Sequence, residues 1–370
     1  MVKKKIVIIA TEPSGDYLGS ELIKQIKTKR PNIKFYGIGG ELMYQNGLNS
    51  LIPIKELSVN GIFEVLLKLF SFINYINITK KFIQDIKPDI LITIDSPSFN
   101  YRLVQKLQGL RGKTKFFHYV APTVWAWKKY RAKKFSKLYD TLLCLFSFEP
   151  NYFNIHNLKS IFVGHPIFFE KRNAPIIKRK KIITFFPGSR LNEIKKIMPI
   201  FVRTMNLFSK VNEGFNLKIV TIPSLKKEIE QILGKKNFEV IDDIHIKKKT
   251  IENSFLAVAA SGTISLELAS HKIPMIVVYK SNHLTSLIVR SFVNLNWCSL
   301  VNIIYNKEII PELLFQNFTH ITLLKKIEEC ISNPKIRHEQ KKYFEKLPKL
   351  MLKDSMNPSY LAAKAILGLK

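Results

Sequence analysis

The chain has 370 residues, 46% of them apolar, with 59 Lys+Arg against 28 Asp+Glu and a formal net charge of +31. The length exceeds what one ordinary core holds and the apolar share exceeds that of a disordered chain, so two globular domains are expected. Residues 1–170 carry 25 basic and 12 acidic side chains (+13) and residues 171–370 carry 34 and 16 (+18), which excludes a basic tail as the source of the charge. An anionic substrate, an anionic membrane surface and nucleic acid all fit that excess. So does the codon bias of an AT-rich genome, given the Lys-, Ile-, Asn- and Phe-heavy usage.

Taken in chain order, Lys5–Ala10 is a β-branched run that breaks at Glu12-Pro13-Ser14-Gly15-Asp16, with helical spacing over 18–26. Lys34–Ile38 predicts a second strand closed by Gly39-Gly40. Residues 59–73 are apolar almost all round, interrupted by Glu64 and Lys68, which predicts a helix either fully buried or dipping into an interface. Strands are predicted over 89–94, 115–120, 141–146 and 160–163. Residues 173–181 mix proline with four cations and have no apolar period, which marks a linker. The pattern then restarts with strands over 181–186, 216–222, 237–241, 255–260 and 274–279, and helical periodicity runs from 322 to the end. Strands alternating with helices predict an α/β fold with two doubly wound, Rossmann-like domains and a cleft between them. The expected limits are 1–172, 173–345, and a tail, 346–370, packing back on the first domain.

Cys144, Cys298 and Cys330 are odd in number and widely spaced, which suits a reducing compartment and supplies no metal-ligand spacing. The basic start is followed by an apolar stretch over 6–10 alone, shorter than a signal-peptide core. No apolar run approaches the ~18 residues of a spanning helix. A cytoplasmic or membrane-peripheral protein is expected.

The stretch Phe116-Phe117-His118-Tyr119-Val120-Ala121-Pro122-Thr123-Val124-Trp125-Ala126-Trp127 runs from a strand into two tryptophans. The cations Lys128, Lys129, Arg131, Lys133, Lys134 and Lys137 follow. Sites in α/β proteins form at the carboxyl ends of strands, so this loop suits a ligand both greasy and anionic. Ser14-Gly15-Asp16 sits between a strand and a helix, where an anion can bind, although a helix cap is the simpler account of it. Asp95 ends an apolar strand, where a carboxylate needs solvent or a partner and can serve as general base; an Asx-turn before Pro97 is the plainer alternative. A lone strand histidine such as His118 is more often a core residue than a catalyst.

In the second half, Pro187-Gly188-Ser189-Arg190 and Ser261-Gly262-Thr263-Ile264-Ser265-Leu266-Glu267 each join a strand to a helix. Two such turns present backbone N–H groups to phosphate oxygens, and Arg190 adds a planar cation. Glu267, one turn into its helix, is placed to bond sugar hydroxyls. No Walker lysine follows either turn, which disfavours P-loop chemistry. No Asp-x-Asp pair is present, so neither a metal nor any other cofactor is expected.

These motifs in this order resemble the lipid-A-disaccharide synthase family, inverting glycosyltransferases. The marks are Ser14-Gly15-Asp16 with Leu18-Gly19, Val59-Asn60-Gly61 with Glu64-Val65-Leu66, Ile94-Asp95, His118-Tyr119-Val120, Trp125-Ala126-Trp127, Phe162-Val163-Gly164-His165, Pro187-Gly188-Ser189-Arg190, Ser261-Gly262-Thr263 with Leu266-Glu267, and Ser299-Leu300 with Asn302. The resemblance implies a GT-B fold. It implies transfer of 2,3-diacylglucosamine from its UDP derivative to 2,3-diacylglucosamine 1-phosphate, giving a β-1,6 disaccharide and UDP. It also implies work at the cytoplasmic face of a Gram-negative inner membrane, on an anionic surface. By the same resemblance Asp95 and Arg190 are catalytic, and Glu12, Asp16, Asn302 and Gln316 are further polar candidates. Gly188, Ser189, Ser261, Gly262, Thr263 and Glu267 then face the UDP-sugar, and Ser14, His118, Trp125, Trp127, Lys128 and Arg131 the acceptor and lipid.

The chain departs from the family at Ser98, where a second acid is usual, at Val301, where proline is common, and at Lys280, where arginine is. Ser98 favours Asp95 acting alone. The rival readings are another UDP-sugar enzyme of the same fold (a UDP-N-acetylglucosamine 2-epimerase or the peptidoglycan N-acetylglucosaminyltransferase) and a basic RNA-binding protein. The Trp-rich loop and apolar helix favour an acylated substrate. The diffuse charge and lack of an RRM or KH signature disfavour nucleic acid.

Overall fold

In the computed structural model, residues 4–54, 62–125, 130–170, 179–280 and 297–369 are described, and of residues 62–70 the backbone alone. The chain forms two compact units, Met1–Phe169 with Lys349–Lys370, and Glu170–Pro348. The joins thus fall at 169/170 and 348/349, three residues from the 172/173 and 345/346 expected from composition.

The first unit holds a seven-stranded parallel sheet: β1 (Lys5–Ala10), β2 (Lys34–Ile38), β3 (Leu48–Ser50), β4 (Ile90–Ile94), β5 (Lys115–Tyr119), β6 (Thr141–Cys144) and β7 (Lys159–Phe162), in the order β3-β2-β1-β4-β5-β6-β7. Ile6, Val7, Ile8 and Ile9 are wholly buried. A parallel sheet covered on both faces makes central strands read as unbroken apolar runs. The chain steps outward from β1 to β3, then returns to lay β4 on the other side of β1. The carboxyl ends of β1 and β4 therefore flank a topological switch point, where open α/β sheets bind ligands.

The second unit repeats the plan with β8 (Ile182–Phe186), β9 (Asn216–Val220), β10 (Glu239–Ile241), β11 (Leu256–Ala260), β12 (Met275–Tyr279) and β13 (Glu312–Leu314), in the order β10-β9-β8-β11-β12-β13. Its switch point lies between β8 and β11. The sequence reading lacked β3 and β13. Each is a three-residue strand at a sheet edge, too short and too polar (Leu-Asn-Ser, Glu-Leu-Leu) to stand out.

The carboxyl-terminal helix Pro358–Leu367 packs on the helix Pro13–Lys29 of the first unit. Asn357 caps it by accepting from the N–H groups of Ser359 and Tyr360. The returning chain crosses Gly164, whose φ is +91°. A Cβ there would lie 2.5 Å from the Met351 carbonyl oxygen, so the crossing requires glycine. Among the described residues, no helix is long and apolar enough to cross a membrane.

Candidate functional site

At the first switch point, Asp95 and Ser96 follow β4 with φ of +51° and +46°. Two successive non-glycine residues in the left-handed region cost about 1–3 kcal/mol each and persist only where neighbours enforce them. Asn100, fully buried, does so: its Nδ2 donates to the Asp95 carbonyl at 2.7 Å and to that of Ile94 at 3.3 Å. The Asp95 N–H donates to the Tyr119 carbonyl of β5 at 2.9 Å. Asp95 itself is half-buried, its backbone fixed at the strand end. Ser96 Oγ donates to Glu12 Oε1 at 3.1 Å, so Glu12, exposed at the end of β1, leans toward the same spot. Ser14 is exposed nearby, one residue into its helix, and Ser98 is exposed one residue into the helix Pro97–Gln105. Val120, after β5, has φ +81°, a further strained β-branched residue along this edge.

Several predicted acceptor-side residues are structural instead. Asp16 is buried: Oδ1 accepts from the N–H groups of Gly40 (2.8 Å) and Met43 (3.0 Å), and Oδ2 from that of Leu42 (3.0 Å). It caps the helix Glu41–Gln45 rather than a ligand or its own helix. His118 is buried between Phe135 and Tyr139, with Nδ1 2.7 Å from Thr93 Oγ1. Burial pushes its pKa down to about 3, so the ring is neutral and belongs to the core.

Trp125 is buried as well, edge-on to Phe148, and its Nε1 donates to Glu149 Oε1 at 3.4 Å. The other oxygen of Glu149 accepts from the N–H groups of Leu145 and Phe146, both at 3.0 Å. Burial pushes this carboxyl up to about 8, against the bonds from Phe146, Trp125 and Leu145, which pull it down. Trp127 and Lys128 lie outside the described residues, and Arg131 is exposed at the start of a short helix.

At the second switch point, Gly188 takes φ +109° after β8. Arg190 follows at the N-cap of the helix Leu191–Val211 with its side chain 68% exposed, and its Nη1 donates to Glu193 Oε1 at 3.1 Å. Ser189 is exposed beside it. After β11, Ser261 Oγ donates to the Cys298 carbonyl at 2.8 Å, Gly262 has open space above its Cα, and Thr263 is exposed. Glu267 is half-buried and pairs with Lys247 at 3.0 Å.

At the end of β12, Lys280 Nζ donates to the carbonyls of Phe315 (2.9 Å) and Phe318 (3.1 Å), pinning the turn that exposes Gln316. The edge of Tyr279 meets Phe315 with ring centroids 5.6 Å apart. Burial raises the Tyr279 pKa, with Cys298 and Glu193 adding to it and Arg190 opposing, so Arg190 lies within electrostatic reach of that ring. One sheet edge thus gathers Arg190, Ser261–Thr263 and Gln316.

Asn302 is likewise bonded inside its own unit. It is fully buried, its Oδ1 accepts from Ile309 and Ile310, and its Nδ2 donates to the Ile310 carbonyl and to Glu312 Oε1. All four of its hydrogen-bonding positions are taken inside the protein, which leaves none for a sugar nucleotide. Asn100, Glu149, Lys280 and Glu312 are the supporting residues that sequence reasoning missed or noted only as departures.

Residues 6–366 match the lipid-A-disaccharide synthetase family. The lipid-A-disaccharide synthase of Rickettsia bellii (strain OSU 85-389) is 38% identical over 379 residues, covering 98% of this chain and 98% of its own. That of Rhodospirillum centenum is 32% identical over 377 residues, covering 98% and 94%. Among solved structures, the UDP-GlcNAc 2-epimerase from Neisseria meningitidis bound to UDP-GlcNAc has a TM-score of 0.64 at 14% identity, covering 99% of this chain and 100% of its own. A glycosyltransferase from Rickettsia africae ESF-5 has a TM-score of 0.55 at 14% identity, covering 99% of each chain. The fold is therefore of the GT-B type, and the chain belongs to the lipid-A-disaccharide synthetase family of glycosyltransferases.

Proposed function

We propose that the chain transfers 2,3-diacylglucosamine from its UDP derivative to the 6-hydroxyl of 2,3-diacylglucosamine 1-phosphate, releasing UDP and a β-1,6 disaccharide 1-phosphate. The observation that carries this reading is the Asp95 backbone, held in a left-handed conformation at a switch point by buried Asn100. Asp95 takes the proton of the 6-hydroxyl as that oxygen attacks the anomeric carbon from the face opposite UDP. The bond from the anomeric carbon to the diphosphate oxygen breaks, and the electron pair leaves with UDP. Arg190 and the backbone N–H groups of 188–190 and 262–263 stabilise the growing negative charge, each well-placed donor contributing about 3 kcal/mol to the barrier reduction; the Ser261 N–H is spent on the Val278 carbonyl. Ser189, Thr263, Glu267 and Gln316 line the donor side. Glu12 and Ser14 line the acceptor side.

Membrane residence belongs to the same proposal. The +31 charge suits peripheral binding at the anionic cytoplasmic face of an inner membrane, about 1 kcal/mol per basic residue near the surface. Vesicle binding that persists at high salt would point to apolar insertion instead.

The test is purified protein with both substrates, scored for disaccharide by mass spectrometry, together with Asp95→Ala and Arg190→Ala. Loss of a positioned general base costs about 10²–10⁴-fold in rate. A folded Asp95→Ala protein with near-normal kcat overturns the assignment.

A further inference from the structure

We infer that the first unit carries a phosphomonoester subsite beside Asp95, built by Tyr101, Tyr130, Arg131 and Lys134. The inference rests on the acceptor named above and adds which of its groups is held, and where.

A cavity of about 200 Å³ opens between the helix Pro97–Gln105, which supplies Pro97 and Tyr101, the loop after β5, which supplies Pro122, and the segment carrying Tyr130, Arg131 and Lys134. Its lining contains two cations and no acid. Among the described residues neither Arg131 nor Lys134 forms an ion pair, whereas Arg190, Lys226 and Lys247 each sit on a carboxylate. Lys134 instead lies over the Tyr130 ring, 5.8 Å from its centroid. Two unneutralised cations and two phenol hydroxyls suit a compact anion of high charge, and a phosphomonoester carries about −1.5 to −2 near neutral pH.

Size and place narrow the ligand further. The space is below the roughly 300–1,000 Å³ of pockets that enclose a drug-sized molecule, so it takes a phosphate with part of a sugar and no acyl chain. The proline and tyrosine faces give the sugar ring an apolar surface. Pro97 is two residues from Asp95, so their Cα atoms lie no more than about 7.6 Å apart. A single hexosamine 1-phosphate can therefore place its phosphate in the cavity while its 6-hydroxyl meets the base.

The experiment uses Arg131→Gln, Lys134→Gln and the double variant of the full chain, in neutral detergent, with diacylglucosamine acceptors bearing or lacking the 1-phosphate. The double variant is expected to raise the KM for the phosphorylated acceptor by about 10- to 100-fold, collapsing the wild type's preference for it. Water-soluble glucosamine 1-phosphate, titrated by NMR, is expected to bind wild type and to lose that binding in the double variant. An equal loss with both acceptors overturns the subsite. So does a defect confined to phosphatidylglycerol vesicles with KM unchanged in neutral detergent, which assigns the cations to lipid headgroups. Binding of glucosamine 1-phosphate that the double variant abolishes, in a protein that forms no disaccharide, supports the subsite and overturns the acceptor reading instead.

Discussion

The Trp125 indole donates its N–H to Glu149 Oε1 at 3.4 Å, joining the loop after β5 to the turn after β6. Glu149 also gathers the N–H groups of Leu145 and Phe146, and Phe146 stacks on Phe148 at 5.5 Å. One buried carboxyl thus holds an aromatic layer at the carboxyl edge of the first sheet. The tryptophan that looks like a substrate wall in the sequence is a strut fixed from behind.

Glu149 gives the fold a measurable pH dependence. Its carboxyl, pushed up to about 8 from 4.5, keeps in the folded chain a proton that the unfolded chain gives up between those values, so stability falls as pH rises through that window. His118 and His165, pushed down to about 3 and about 4 from 6.5, act oppositely: below pH 6.5 the unfolded chain takes protons that the folded one refuses. Both histidines are still half-protonated in the unfolded chain at pH 6.5, so the Glu149 slope is read as a difference between variant and wild type. Thermal melts of Glu149→Gln and wild type between pH 6.5 and 8 should show wild type losing stability relative to the variant as pH rises. Parallel curves would mean that Glu149 is ionised throughout.

Asp16 should matter for folding and not for turnover. Replacing it by Ala strips the acceptors from Gly40, Leu42 and Met43 and should cost about 2–3 kcal/mol in urea unfolding. Turnover per folded molecule should stay within a few-fold of wild type. A variant of wild-type stability that forms no disaccharide would place Asp16 at the chemistry.

The architecture is legible in the sequence because central parallel strands are apolar on both faces, and because polar residues at their carboxyl ends stand out against that background. Asp95 and Arg190 are visible for that reason. The roles of Asp16 and Asn302 are not, because their partners are set by the fold: Asp16 bonds residues 24 to 27 positions away, and Asn302 closes on the turn that leads into β13. Both look like ligand contacts in a list of polar motif residues, and both are bonded inside the protein, Asp16 by backbone N–H groups and Asn302 by backbone and the Glu312 carboxylate. Asn100 and Glu149 are invisible for the converse reason, since burial, which gives them their roles, leaves no mark on an isolated Asn or Glu. Glu149 even precedes Pro150, where a solvated helix start is the simpler expectation.

Asn302→Ala should be among the more damaging single changes in the second unit. It leaves the N–H groups of Ile309 and Ile310 without their acceptor in a buried setting and removes a donor from the Ile310 carbonyl and from Glu312 Oε1, which keeps the Ser299 N–H, a loss of about 3–4 kcal/mol. Asn302→Asp keeps the acceptor but sets a second carboxylate where Nδ2 stood 2.8 Å from Glu312 Oε1, and should be no better. Chemical denaturation reads the stability, and calorimetry with UDP reads the site. UDP affinity of the folded fraction should change little, whereas a stable Asn302→Ala protein that fails to bind UDP would return Asn302 to the ligand.

Gly188→Ala tests the donor turn directly. The glycine has φ +109°, and an added Cβ would lie 2.5 Å from Glu193 Oε2 and 3.2 Å from Glu193 Cβ. Alanine must therefore shift either the turn or Glu193, whose other oxygen holds Arg190 at 3.1 Å. The strain is about 1–3 kcal/mol, and because it falls on the segment proposed to meet the diphosphate, it should weaken UDP binding by about tenfold or more. The residue lies on a strand-end loop, with the wholly buried Ile183 and the core around Phe185 untouched, so the melting temperature should fall by only a few degrees. Calorimetry on Gly188→Ala and on Glu193→Ala in the same background separates the causes. Removing Glu193 relieves the contact and should restore UDP binding in part, if the clash rather than the left-handed backbone is the main fault. An alanine variant that binds UDP as wild type does would remove residues 187–190 from the phosphate site and leave the Ser261–Thr263 turn to hold the nucleotide alone.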